Sequence, residues 1–153
     1  MQLAFHIGAR GTLFSKAICW KTGSPYSHVE LVFDEWKSTL GTMCFSSDEK
    51  DGGTRFKWIN LDPTAWKIVP LYNSFGQYKL AEAYASSKDG LKYDWLGILG
   101  FVAPFGEHDD NDRFCSEIVT EILQHAMGWP VGVAPWEVSP GELFNLYEKT
   151  YSH

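Results

Sequence analysis

Two hydrophobic periods in this chain cannot belong to the same kind of element, and together they constrain the fold most. In "SHVELVF", Val29, Leu31 and Phe33 alternate with His28, Glu30 and Val32. That is the period of a strand with one face turned to a core. In "RFCSEIVTEILQHAM", Ile118, Val119, Ile122, Leu123 and Ala126 recur at helical spacing. Ser116, Glu117, Thr120, Glu121 and Gln124 take the other side of that helix. An apolar strand face and an apolar helix stripe each need a partner, and packing a helix on a sheet supplies both.

The remaining segments fit that plan. "QLAFHIG" reads as a strand with Leu3, Phe5 and Ile7 on one face, and "TLFSKAICWK" as a short helix stopped by Gly23. "TMCFSS", "TRFKWINL" and "WKIVPL" read as strands. The acidic, glycine-rich "DEKDGG" turns the chain between the first two, and Pro63 closes the second. "YKLAEAYASSK" predicts a helix with Leu80, Ala83 and Tyr84 on its apolar side and Gly90 at its end. "DWLGILGFV" is read as a short helix with a loop. "SPGELFNLYEK" opens with a capping box: Ser139 as cap, Pro140 first, Glu142 third. No internal repeat interrupts this order. At 153 residues the chain makes one domain, 1–153, of α+β class with an antiparallel sheet and helices packed against it.

Composition excludes several classes of function. A net charge of −6 gives no electrostatic basis for binding nucleic acid or an anionic membrane. No basic start precedes a long apolar run, so no signal peptide is expected. No stretch of about 18 apolar residues predicts a membrane span. Three cysteines, Cys19, Cys44 and Cys115, make an odd count that argues for free thiols and a cytoplasmic setting. No motif calls for a cofactor. His28, Cys44 and Cys115 share no metal-ligand spacing, so no metal site is expected.

Cys115 is the residue that stands out. It follows a polar run and lies three and four residues before Ile118 and Val119. With Asn111 or Asp112 as helix cap, it falls in the first turn. There the unpaired N–H groups and the helix dipole favour a thiolate. A thiolate needs a base, and His28 opens a strand that such a helix can cover. Glu30 follows two residues later on the same strand face and can take the second imidazole N–H. A polar residue of the next strand, such as Thr42, can fill that role instead. Cys19, in a short apolar helix, and Cys44, in a strand, read as inert core thiols.

Ser27-His28 opening a strand, Tyr93-Asp94 after a helix and Cys115-Ser116-Glu117 opening a second helix resemble the permuted NlpC-type papain-like cysteine hydrolases. The resemblance runs from the N-terminus to about Leu123. It implies a circularly permuted papain-like fold: an antiparallel half-barrel packed against the helix that carries the nucleophile. It also implies cleavage of an amide, in a peptide such as a cell-wall peptide or in an acyl-amine, through a thioester on Cys115. His28 is the expected base, Glu30 its orienting partner, and Tyr26, Tyr93 and Asp94 the expected groove residues. A lipid acyltransferase or thioesterase could use the same pair, and so could a binding or structural protein that kept only the fold.

Overall fold

The computed structural model describes residues 1–93 and 112–151. Among these residues seven strands form one sheet: β1 (Gln2–Ile7), β2 (Tyr26–Ser38), β3 (Gly41–Asp48), β4 (Gly53–Ile59), β5 (Trp66–Pro70), β6 (Lys92–Tyr93) and β7 (Asp112–Arg113). Their order is β5-β1-β2-β3-β4-β6-β7. The first five pair antiparallel, β6 joins β4 antiparallel, and the two-residue β6 and β7 run parallel. The helices among the described residues are α1 (Leu13–Thr22), α2 (Phe75–Ser87), α3 (Cys115–Met127) and α4 (Pro140–Tyr151). The α+β reading with an antiparallel sheet holds. The "DWLGILGFV" segment begins at Asp94 and lies outside the described residues.

The period-two face of β2 is buried as its pattern predicts. Val29, Leu31 and Phe33 join Leu3, Phe5 and Phe45 in one cluster with Ile118, Val119, Ile122 and Leu123 of α3. Val32 belongs to the other side of the sheet, with Ala4 and Cys44 in a smaller cluster. The central strands are thus covered on both faces, and a polar side chain on either face must find its partners there.

Three sequence expectations are corrected by packing. Leu80 is half exposed; α2 buries Tyr78, Ala81 and Ala85 instead. This helix starts before Tyr78 because Ser74 caps it: its Oγ accepts from the Gln77 N–H, and Gln77 Oε1 accepts from the Ser74 N–H. The polar flank of α3 does not face water, since Ser116, Glu117 and Thr120 are buried. Its outer polar groups wire neighbouring segments together. Glu121 accepts from the hydroxyl of Tyr84 in α2 at 2.7 Å and pairs with Lys88, the residue that caps α2, at 2.9 Å. Gln124 donates to the Pro130 and Val133 carbonyls. Finally, β4 ends at Ile59, ahead of Pro63.

Two glycines permit close approaches of one segment to another. A Cβ on Gly8 would lie 2.9 Å from the Ser27 Cβ and clash with the Cys19 sulfur, so α1 sits against the β1–β2 end only because Gly8 has none. Gly53, at φ 151°, starts β4 against the Leu91 carbonyl, which leaves no room for a Cβ.

At the C-terminus the expected capping box is present. The Ser139 N–H donates to Glu142 at 2.7 Å, and Ser139 Oγ accepts from the Glu142 N–H at 3.2 Å. Ser139→Ala should cost about 1 kcal/mol in urea unfolding, the usual worth of a lost N-cap. An unchanged midpoint would mean that α4 is held by its packing alone.

Candidate functional site

Cys115 is the first residue of α3, with Phe114 as cap. The expected caps were Asn111 or Asp112. Asp112 instead extends with Arg113 into β7, so the helix begins later and the cysteine stands at its first position. Asn111 lies outside the described residues. The Phe114 N–H reaches the Glu117 carboxylate at 3.5 Å, so the third residue of the helix closes its own entrance. Cys115 is only 6 % exposed, and its backbone N–H is among the helix-start donors that no turn of the helix can satisfy.

The first turn of α3 brings Cys115 to the start of β2, near enough to His28 for the sulfur to raise the titration of its imidazole. His28 Nε2 is held by Glu30 Oε1 at 2.8 Å, which leaves Nδ1 as the nitrogen for the sulfur. The glutamate folds back along its own strand to make this contact. The rival, Thr42, pairs with Ile59 and Lys37 at the far end of β3. The β3 residue near His28 is Asp48, at 4.0 Å from Nε2.

Glu30 is 1 % exposed and carries a second partner. Arg55 of β4 donates from Nη1 to Oε2 at 2.9 Å and from Nη2 to Oε1 at 2.6 Å. Burial on its own would raise the Glu30 carboxyl; the hydrogen bonds and positive charges of His28 and Arg55 outweigh it and hold Glu30 below the usual range. For His28, burial works against the imidazolium. The negative charge and hydrogen bond of Cys115, followed by those of Glu30, overcome it and push the imidazole up to about 10.

A cavity of about 680 Å³ opens over this group. Its lining includes Thr12, which caps α1, with Ser15 and Ile18 of that helix, Trp58 and Trp66, and Cys115, His28 and Glu30. A cavity of that size holds a small organic ligand or a few residues of peptide. Tyr26, expected in the groove, is turned to the core: its ring packs 5.4 Å from Phe5 and 4.6 Å from Phe144. Tyr93 lies in β6, beside Arg113 of β7, and Asp94 falls outside the described residues. Among the described residues no three His, Cys, Asp or Glu side chains converge in a metal-holding arrangement. Nor is any described helix long and apolar enough to cross a membrane.

The other two thiols differ from Cys115 in their surroundings. Cys44 is buried and its thiol is pushed up to about 12, by burial first and then by the Glu30 charge. Cys19 is only half-buried, not a core residue; burial still raises it, against a hydrogen bond from the Gly8 backbone.

Three residues of the site escape the sequence reading. His6 pairs with His28 across β1 and β2, lines the cavity, and stands edge-on to Trp66 at 5.0 Å. Burial and then the His28 charge lower its titration. The signal was present, because His6 falls between the inward Phe5 and Ile7 just as His28 falls before Val29. Asp48 and Arg55 come from elements whose register no local pattern announces.

No family model matches the chain, and no curated protein matches it either. Among solved structures it is similar to the crystal structure of the metalloprotein yiiX from Escherichia coli O157:H7. The two superpose with a TM-score of 0.63 at 22% identity, over 86% of this chain and 68% of that one. At that identity the likeness concerns the fold alone.

The contacts of His28 generate a signed expectation. A titration raised from 6.5 to about 10 stabilises the folded state fully below about 6.5, and that stabilisation is lost as pH rises through about 10. Followed by NMR, the imidazole should stay protonated through neutrality and titrate near 10. In Cys115→Ala the midpoint should fall, because the two largest favourable contributions go with the sulfur. A wild-type midpoint near 6.5 would mean that the contact is not formed in solution.

Proposed function

We propose that this chain is a cysteine hydrolase that cleaves an amide through a thioester on Cys115, on a permuted papain-like half-barrel. The observation that carries the reading is one grouping: a sulfur at a helix start that acts on the His28 imidazole, and a buried carboxylate held on that ring's Nε2. The histidine strand precedes the cysteine helix, as the permuted order requires.

In this reading the Cys115 sulfur attacks the carbonyl carbon, and the oxygen takes the negative charge. The Cys115 N–H, a donor left over at the helix start, would serve that oxygen; one such donor is worth on the order of 3 kcal/mol to the transition state. His28 then gives its proton to the leaving nitrogen, the carbon–nitrogen bond breaks, and a thioester and a free amine result. Water attacks the thioester with its proton passing to His28, and the carboxylate leaves with the thiol restored. Glu30 keeps its own charge throughout and holds the imidazole in the tautomer that presents Nδ1. Trp58 and Trp66 offer apolar surface to a substrate in the cavity.

Labelling with an amide-based, thiol-reactive warhead tests the nucleophile. Mass spectrometry should find the adduct on Cys115, with Cys19 and Cys44 unmodified, and His28→Ala should slow it at least 10-fold. Equal modification of all three thiols in the folded protein would overturn the reading. A product carrying the acyl group on an added amine in place of water would redirect it to acyl transfer.

Glu30→Gln separates orientation from bond making. Turnover of a hydrolysed acyl-amide should fall on the order of 10²–10⁴-fold, less than for Cys115→Ala, because Glu30 acts through the imidazole. Unchanged turnover in a folded Glu30→Gln would remove the carboxylate from the mechanism.

A further inference from the structure

Arg55 lies on β4, two strands from the one that bears His28 and Glu30. It pairs in register with Ser46 of β3. Leu31 pairs with Phe45, and one further step of that register sets Ser46 beside Glu30. The three side chains therefore form a row on one face of the sheet. Ser46 is small and fully buried, and its hydroxyl is turned to the Val29 carbonyl at 2.6 Å. The guanidinium can thus reach across β3, a span of two strand spacings or about 10 Å.

It arrives with its orientation constrained from behind. Arg55 Nε donates to Asp51 Oδ2 at 2.8 Å, and both Asp51 oxygens accept from Lys57 at 2.8 Å. In front, the two terminal nitrogens take both oxygens of Glu30, and one of these, Oε1, also takes the His28 Nε2 proton. Charges alternate in sign along the line from a protonated His28 through Glu30, Arg55 and Asp51 to Lys57.

We propose that Arg55 is a positioning residue of the Cys115–His28 pair, acting through Glu30. A carboxylate bound by His28 alone could rotate about its last torsion and let the imidazole turn. With both oxygens in a planar fork, the carboxylate plane is set, and Oε1 is presented to Nε2 along one direction. The direction of the ring is then set through Nε2, and Nδ1 is the nitrogen left for the sulfur. Arg55 also keeps Glu30 ionised: a carboxylate this buried, with one partner removed, takes up a proton in preference to remaining an uncompensated charge. The catalytic consequence rests on the hydrolase reading above, whereas the positioning does not.

The test is NMR on the labelled full chain, needing no substrate, with Arg55→Gln and Arg55→Lys beside wild type. Two signals are read: the Glu30 carboxyl carbon as pH is varied, and the hydrogen-bonded His28 Nε2 proton. In Arg55→Gln the Glu30 titration should move up by about one to three units, and the Nε2 proton signal should broaden or vanish. Arg55→Lys keeps the charge without the fork, so the Glu30 titration should return most of the way while the Nε2 signal stays weakened. A residue that only stabilised the sheet would lower the melting temperature of both variants and leave the Nε2 proton unmoved. A folded Arg55→Gln with wild-type signals overturns the proposal. If that variant does not fold, a wild-type Nε2 signal in Arg55→Lys overturns it instead. Failure of Cys115 to take the warhead would sink the hydrolase reading and leave these signals as they are, so the two failures are told apart.

Discussion

A carboxylate with 1 % of its surface exposed is the constraint around which the described structure is arranged. An isolated charge cannot remain in such a place, and Glu30 remains only because two cations meet it. One comes from its own strand and the other from β4. This couples local chemistry to sheet register. If β4 slipped by one residue against β3, Arg55 would turn to the opposite face, and Glu30 would lose one of its two cations. Whether such a group adds net stability is a separate matter, since hydrophobic residues of equal volume often do as well. Its effect is on specificity of arrangement: one register satisfies the charge.

The core and the site are joined by the same helix. The stripe of Ile118, Val119, Ile122 and Leu123 lies on the Val29–Leu31–Phe33 face, and that burial fixes α3 against β2. Cys115 shares the stripe, so its sulfur is delivered to the end of the sheet by packing that owes nothing to chemistry. His28 waits there because β2 begins there. Cys115 and His28 therefore stand on two rigid elements, which holds their geometry more closely than loops would. The polar groups of α3 serve the same end. Glu121 and Gln124 tie it to α2 and to the segment before α4, so the helix is held on its sides as well as its buried stripe.

Much of this was legible before the fold was known, and the reasons differ by residue. The α3 stripe and the β2 alternation are local periods, so they survive without tertiary information. Ser139 and Glu142, or Gly23 as a helix stop, are local chemistry of a few consecutive residues. Glu30 could be placed beside His28 because two residues on one strand face are neighbours in any sheet. Tyr26 was misplaced for the converse reason. The pairing of β1 with β2 shifts between His6 and Ile7, and the strand irregularity there turns Tyr26 toward Phe5 and Phe144. Leu80 misled because a helix of weak amphipathicity has no single apolar face to read.

The amino-acid sequence by itself determined the five longer strands and the four helices, the α+β class, the face that β2 buries, and the company of Cys115, His28 and Glu30. Each of these follows from spacing within one element or from the need to cover an apolar face. Tertiary structure alone decided that Arg55 reaches Glu30, that Asp48 takes the place near His28 proposed for Thr42, and that His6 joins the cavity. Those contacts depend on strand order and register. Register is settled by the total burial of many side chains at once, so no stretch of sequence a few residues long can carry it.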